Sequence, residues 1–146
     1  MSQDDVELVR SIYGQWNSLY ESGVPLRPIP DELDQQFRDL LDEQFEVRLP
    51  PDYPEGRPVF RGREEFAEFI ARISDTWGKW RFELERFLEA YDSVVVFLRI
   101  LAEGGASGVP VEFETTHVWT IRDGRATSMH AYRKRSQALE AAGLSE

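Results

Sequence analysis

The stretch FETTHVWTIRDGRATSMHAYR, residues 113–133, decides how this chain folds. It contains both histidines, His117 and His130, and reads as two strands joined at Asp123-Gly124. Along the first strand the odd positions are Phe113, Thr115, His117, Trp119 and Ile121. The even positions, Glu112, Glu114, Thr116, Val118, Thr120 and Arg122, are more polar. Side chains alternate across a strand, so the odd set is expected to face the core.

The second strand depends on the turn. A two-residue turn at Asp123-Gly124 sets His117 opposite His130 and places Met129 and Ala131 among Glu112, Glu114 and Arg122. A three-residue loop over 122–124, with Gly124 left-handed, moves the pairing by one. Thr127, Met129, Ala131 and Arg133 then share the face of His117 and Trp119, and Lys134 comes opposite Glu112, a favourable cross-strand pair. A one-residue slip reverses every side chain, so the better sorting of apolar from polar selects the three-residue loop. His117 is therefore expected inside, and His130 outside, facing solvent or a partner subunit.

Upstream, Val6, Val9, Tyr13, Trp16 and Tyr20 recur at helical steps, predicting a helix from Asp4 to Glu21, capped by Ser2 and closed by Gly23. After the proline-rich VPLRPIP, Asp31 is expected to cap a second helix carrying Leu33, Phe37, Leu40 and Leu41 to about Glu43. FEVRL alternates as a short strand, and PPDYPEGRP must be a loop. A third helix starts after Gly62 and runs to about Trp77, with Phe66, Phe69, Ile70 and Ile73 on its apolar face. Trp80, Phe82 and Leu84 alternate as a strand that continues irregularly through Phe87. VVVFLRIL, residues 94–101, is apolar at nearly every position, so both of its faces should be covered. AEGGASGVP is a flexible connection, and SQALEAAGL is a short terminal helix stopped by Gly143. Helices and one early strand precede a run of long strands, so the class is α+β, a single domain over 1–146 with helices laid across one face of a curved sheet.

Composition narrows the function. The chain of 146 residues has 27 acidic and 17 basic side chains, a net charge of −10. That balance opposes binding to nucleic-acid phosphates or to an anionic membrane surface. No apolar run reaches membrane-spanning length, the start of the chain lacks a secretory apolar region, and there is no cysteine. A cytoplasmic location is the expectation.

His117 is the leading chemical candidate, because imidazole titrates near working pH and can serve as acid or base. The bland alternative is a core histidine that hydrogen-bonds Thr115 or a helix tyrosine and fills space. Tyr13, Trp16, Tyr20, Trp77 and Trp119 are expected to line a pocket for a flat apolar molecule, with Thr115, Met129, Ala131 and Arg133 beside them on the inner face. Arg133 and Arg99 could each hold a ligand anion, or simply a salt bridge. No metal site is expected: the histidines lie on opposite faces, and no HxxE or HxH spacing occurs.

Together VELVRSIYGQWN, FEVRLPP, FRGREEFAEFI, SGVPVE, HVWTIRDGR and RSQALEAAGL resemble the SnoaL-like group of the NTF2-like superfamily. The resemblance implies a cone: a strongly bent antiparallel sheet closing around a pocket, three helices over its concave side, and homodimers through the sheet. Members include polyketide cyclases, ketosteroid isomerases, epoxide hydrolases and non-catalytic proteins, so the fold fixes no activity. The cyclases' histidine matches His117, but their acid/base Asp falls at Ala131, and a methyl group moves no proton. The isomerases' base precedes a proline, where this chain has Leu49-Pro50; their oxyanion-binding Asp falls at His117, and their helix tyrosine at Tyr13 or Trp16. The resemblance thus implies a small-molecule pocket, with either cofactor-free acid-base chemistry on an apolar carbonyl or polycyclic compound, or an inert binding role. An open cavity at His117 with a polar partner would favour chemistry; a pocket plugged by Trp16, Trp77 and Met129 would favour inertness.

Overall fold

The computed structural model describes residues 3–22, 26, 28–50, 58–104 and 108–144. The Ser2 cap, the Gly23 stop, the loop 51–57, the glycine-rich 105–107 and part of the proline-rich connection (24, 25 and 27) lie outside them. Among these residues four helices are present, α1 (Gln3–Ser22), α2 (Asp31–Leu40), α3 (Gly62–Thr76) and α4 (Arg135–Ala141). Six strands, β1 (Leu41–Arg48), β2 (Val59–Arg61), β3 (Trp77–Glu89), β4 (Ser93–Gly104), β5 (Pro110–Arg122) and β6 (Arg125–Tyr132), pair in the order β2-β1-β6-β5-β4-β3.

The apolar stripes meet in one core. Helix α1 buries Val9, Ile12, Tyr13, Trp16, Leu19 and Tyr20; α2 buries Leu33 and Phe37; α3 buries Phe66, Phe69, Ile70 and Ile73. These join the inward side chains Phe45, Val47, Phe82, Val96, Leu98, Trp119 and Met129 of the sheet. Helix α4 covers part of the opposite face, where Val95, Phe97 and Val118 pack on Ala138 and Leu139. The first half of β4 is thus covered on both sides, as its unbroken apolar run requires; Arg99 and Leu101 further along remain half-buried. The terminal helix stops at Gly143, left-handed at φ 78°, as its sequence indicates.

The faces of the 113–133 hairpin are as expected, but the turn is not. Asp123 (φ 53°) and Gly124 (φ 78°) are both left-handed, and Arg122 pairs with Arg125. This is the two-residue turn, whose twist matches that of its strands. The register then shifts between Thr120 and Ile121, leaving Thr127 as a bulge; its hydroxyl donates to the Thr120 carbonyl at 3.2 Å. Beyond the bulge Trp119 pairs with Met129 and His117 with Ala131, and the ladder ends at Tyr132. One extra residue restores the apolar sorting that the turn alone would have reversed, and Lys134 falls outside the ladder.

Four further corrections concern boundaries and pairing. Asp31 is the first residue of α2, not a side-chain cap; the cap position is Pro30. Helix α2 ends at Leu40 and α3 at Thr76, each running straight into a strand. In both cases the first strand residue is extended, yet its N–H closes the last helical turn, Leu41 to Phe37 and Trp77 to Ile73. Strand β2, which the sequence reading leaves unassigned between the 50–58 loop and the third helix, pairs through Val59, Phe60 and Arg61 with β1. Strand β1 runs parallel to β6, so four of the five seams are antiparallel and the sheet is mixed.

Candidate functional site

Helix α1 lays Tyr13, Trp16 and Tyr20 on one face, spaced by three and seven residues, directly above the concave side of the sheet. Tyr13 and Trp119 are fully buried and His117 is 4% exposed. The Trp119 indole N–H donates to the Tyr13 hydroxyl at 2.8 Å, and that hydroxyl lies 2.5 Å from His117 Nδ1. An indole nitrogen only donates, so Tyr13 accepts from Trp119 and donates its own proton to Nδ1. This assignment pairs the indole N–H, the hydroxyl and Nδ1, and puts the imidazole proton on Nε2. The tyrosine and imidazole rings stack at 5.9 Å with 15° between their planes. Burial holds the His117 pKa down at about 3, so the ring is neutral at physiological pH. Burial also pushes the Tyr13 hydroxyl well above the ordinary phenol range, partly offset by the Trp119 N–H.

His117 forms part of the wall of a narrow, largely enclosed cavity of about 40 Å³. The rest of the wall is Trp16 and Tyr20 from α1, Phe66, Phe69, Ile70 and Ile73 from α3, Trp80, Phe82 and Ile100 from β3 and β4, Met129 and Ala131 from β6, and Leu49. Among the described residues no carboxylate or cation stands in it. A wider groove of about 680 Å³ opens on the outside between Glu21, Lys79, Arg81, Glu103 and Glu112, and shares Trp80 with the cavity. Its size reflects openness to solvent, and it holds none of the expected site residues.

The structure brings together Tyr13, Trp16, His117, Trp119, Met129 and Ala131 and separates Thr115, Trp77 and Arg133 from them. Trp119 lies behind Tyr13, positioning its hydroxyl. Thr115 donates to the Tyr132 carbonyl at 3.2 Å, not to His117. Trp77 begins β3, half-buried outside the cavity wall, with its ring 6.5 Å from that of Trp80. Arg133 is exposed beyond the end of β6, because the ladder stops at Tyr132 before the chain turns into α4. Arg99 faces outward, bridging Glu112 at 3.0 Å, Glu114 at 3.5 Å, Glu85 at 3.6 Å and Glu83 at 3.9 Å. His130 stacks on Tyr132 at 4.2 Å on the outer face, the opposite side of the sheet from His117. Ala131 sits directly opposite His117 in the ladder. Tyr20, read from the sequence as one of the pocket aromatics, stands in the wall; Leu49, Phe66, Phe69, Ile70, Ile73, Trp80, Phe82 and Ile100 are the wall residues that the sequence reading left in the core and out of the site. Among the described residues no three His, Asp or Glu side chains gather as for a metal ion, and no helix is long and apolar enough to cross a membrane.

A mixed, curved sheet roofed by three helices around an aromatic cavity defines an α+β cone of the NTF2-like kind. The model of the SnoaL-like domain family matches residues 32–129, and the chain belongs to that family. Similar solved structures include TerC co-crystallised with polyporic acid, 22% identical, with a TM-score of 0.70 over 96% of this chain and 98% of the other. An NTF2-like protein of unknown function from Burkholderia pseudomallei is 17% identical, with a TM-score of 0.72 over 97% and 98% of the two chains. A protein of ketosteroid isomerase-like fold from Catenulispora acidiphila, in complex with trimethylamine, is 16% identical, with a TM-score of 0.63 over 92% and 93%. At these identities the likeness concerns the fold. No curated protein matches the chain.

Proposed function

We infer that the protein binds a small, mostly apolar molecule in the cavity at His117, and that His117 serves as a fixed hydrogen-bond donor. The Tyr13–His117 bond of 2.5 Å carries this reading. It commits Nδ1, keeps the proton on Nε2, and leaves that N–H without a partner among the described residues, on a ring that walls the cavity. Proton transfer is the weaker reading. A ring held neutral by burial is a poor acid at pH 7, and Ala131 and Leu49 stand where the resemblance would require carboxylates. At about 40 Å³ the cavity suits a compound of a few heavy atoms; a polycyclic one would need its aromatic wall displaced. That TerC was crystallised with polyporic acid and the Catenulispora protein with trimethylamine supports a pocket role without naming this ligand. We place a homodimer contact on the outer sheet face, where Leu101, His130 and Tyr132 remain half-buried in one copy; sedimentation velocity tests it.

Mass spectrometry of small molecules released from native protein tests the ligand. A neutral compound of low mass should accompany the wild type and be depleted at least about tenfold from His117→Phe, the scale of one buried hydrogen bond and its desolvation. Equal retention by both would remove His117 from the site. No small molecule in either, together with no thermal protection by small cyclic ketones, would leave the cavity inert.

A further inference from the structure

Besides the His117 Nε2–H, two buried polar atoms on residues of the cavity wall have no hydrogen-bond partner among the described residues: the Tyr20 hydroxyl and the Trp80 indole N–H. Both side chains are more than nine-tenths buried, at 7% and 8% exposure, and their rings meet edge to face at 6.0 Å. Native chains pair nearly all buried polar groups, so two orphans at one end of one cavity call for a partner that the described residues do not supply. The indole nitrogen can only donate. The Tyr20 hydroxyl, which burial keeps protonated, has a proton to donate as well. Their common need is an acceptor.

This end is distinct from the His117 end. Tyr20 lies seven residues beyond Tyr13 on the same face of α1, about 10 Å along the helix axis. Phe82 lies between the two ends, its ring 6.5 Å from His117, 6.0 Å from Tyr20 and 5.7 Å from Trp80. Trp80 also walls the open groove, so the Tyr20–Trp80 end is the one nearest the outside. With no cation among the described residues of the wall, a buried anion would have no counter-charge there to offset its desolvation, and the net charge of −10 opposes its approach.

We propose that Tyr20 and Trp80 form a second polar pole that holds an acceptor oxygen of an uncharged, largely apolar ligand (a ketone, ester or ether), whose carbon frame lies along Phe82 towards His117. This rests on the reading that the cavity is a ligand site. The two donors select an acceptor and reject a hydrocarbon of the same shape, while the absence of a cation rejects a carboxylate.

The experiment compares cyclopentanone, methylenecyclopentane and cyclopentanecarboxylate on the full chain, following indole N–H resonances in nitrogen-15 spectra. Cyclopentanone should move the Trp80 indole signal downfield and bind more tightly than the hydrocarbon, and the carboxylate should not bind. Tyr20→Phe and Trp80→Phe should each weaken cyclopentanone by about 3- to 10-fold and leave the hydrocarbon unchanged. Tyr20→Phe removes only the oxygen, so it carries the test should the tryptophan variant fold poorly. Equal affinity for ketone and hydrocarbon, or equal loss of both in Tyr20→Phe, would overturn the second pole and leave the cavity as a ligand site. Tight binding of the carboxylate would overturn the uncharged class. Failure of ketone and hydrocarbon alike would bring down the ligand-site reading, and this proposal with it.

Discussion

At the scale of single residues, the neutral state of His117 has a measurable cost in acid. Its pKa is about 3 in the folded protein, against about 6.5 for an unperturbed imidazole. Above pH 6.5 neither folded nor unfolded chain binds this proton, and the contribution to stability is fully present. Between about 6.5 and 3 the unfolded chain takes up a proton that the folded chain refuses, so stability falls by up to about 1.4 kcal/mol per pH unit. Between pH 7 and pH 5 the wild type should therefore lose about 2 kcal/mol more than His117→Gln, which has no such proton to bind. Urea titrations at the two pH values measure this difference, and His130 cancels because both proteins carry it. Equal losses would mean that the folded protein protonates His117 as readily as the unfolded chain does. The ring would then be open to water, and its role as a fixed donor would fail.

At the scale of elements, the hairpin separates what alternation reveals from what it hides. The alternation in 113–121 placed His117 and Trp119 on the buried side, because each second residue shares a face. The turn was hidden because two geometries give the same sorting: a three-residue loop, or a two-residue turn followed by the bulge at Thr127. The two differ at Asp123, which is left-handed only in the second. Asp123→Ala should therefore cost about 1 kcal/mol, while Asp123→Asn and Asp123→Gly stay within a few tenths of the wild type. Chemical denaturation checks this, and an Asp123→Ala protein as stable as the other two would restore the three-residue loop. The same reasoning explains the remaining misses. Trp77 reads as helical because Ile70, Ile73 and Trp77 keep helical spacing, yet the chain switches to a strand there without a turn residue. Strand β2 is three residues long, too short for any period to show. Tyr20 and Trp80 were visible as core positions, but an unpaired hydroxyl and indole N–H exist only once the surrounding elements have closed over them.

At the scale of the whole molecule, the sheet sorts charge as well as apolarity. Its concave side holds a neutral histidine and aromatic rings, where a single hydrogen bond counts for more than it would in water. The acidic excess is carried outside, where Arg99 is ringed by Glu83, Glu85, Glu112 and Glu114, all within 4.0 Å. Arg135 shares Glu85 at 2.5 Å, but the other three carboxylates depend on Arg99 for their nearest cation among the ion pairs of the described residues. The surrounding carboxylates, Glu112 first, raise the Arg99 pKa, so the charge is permanent and the cluster's response comes from its neighbours. Arg99→Met keeps a side chain of similar reach but turns the ring of attraction into mutual repulsion, in a chain already at −10. Its melting temperature should fall at low ionic strength. In 1 M salt, where the screening length is about 3 Å, roughly half or more of the loss should return. Adding Glu112→Gln to Arg99→Met should restore part of the loss at low salt by removing one repelling charge. Thermal scans at two salt concentrations distinguish this from a packing effect: a deficit unchanged by salt and by Glu112→Gln would mean that Arg99 matters for its stem against the sheet and not for its charge.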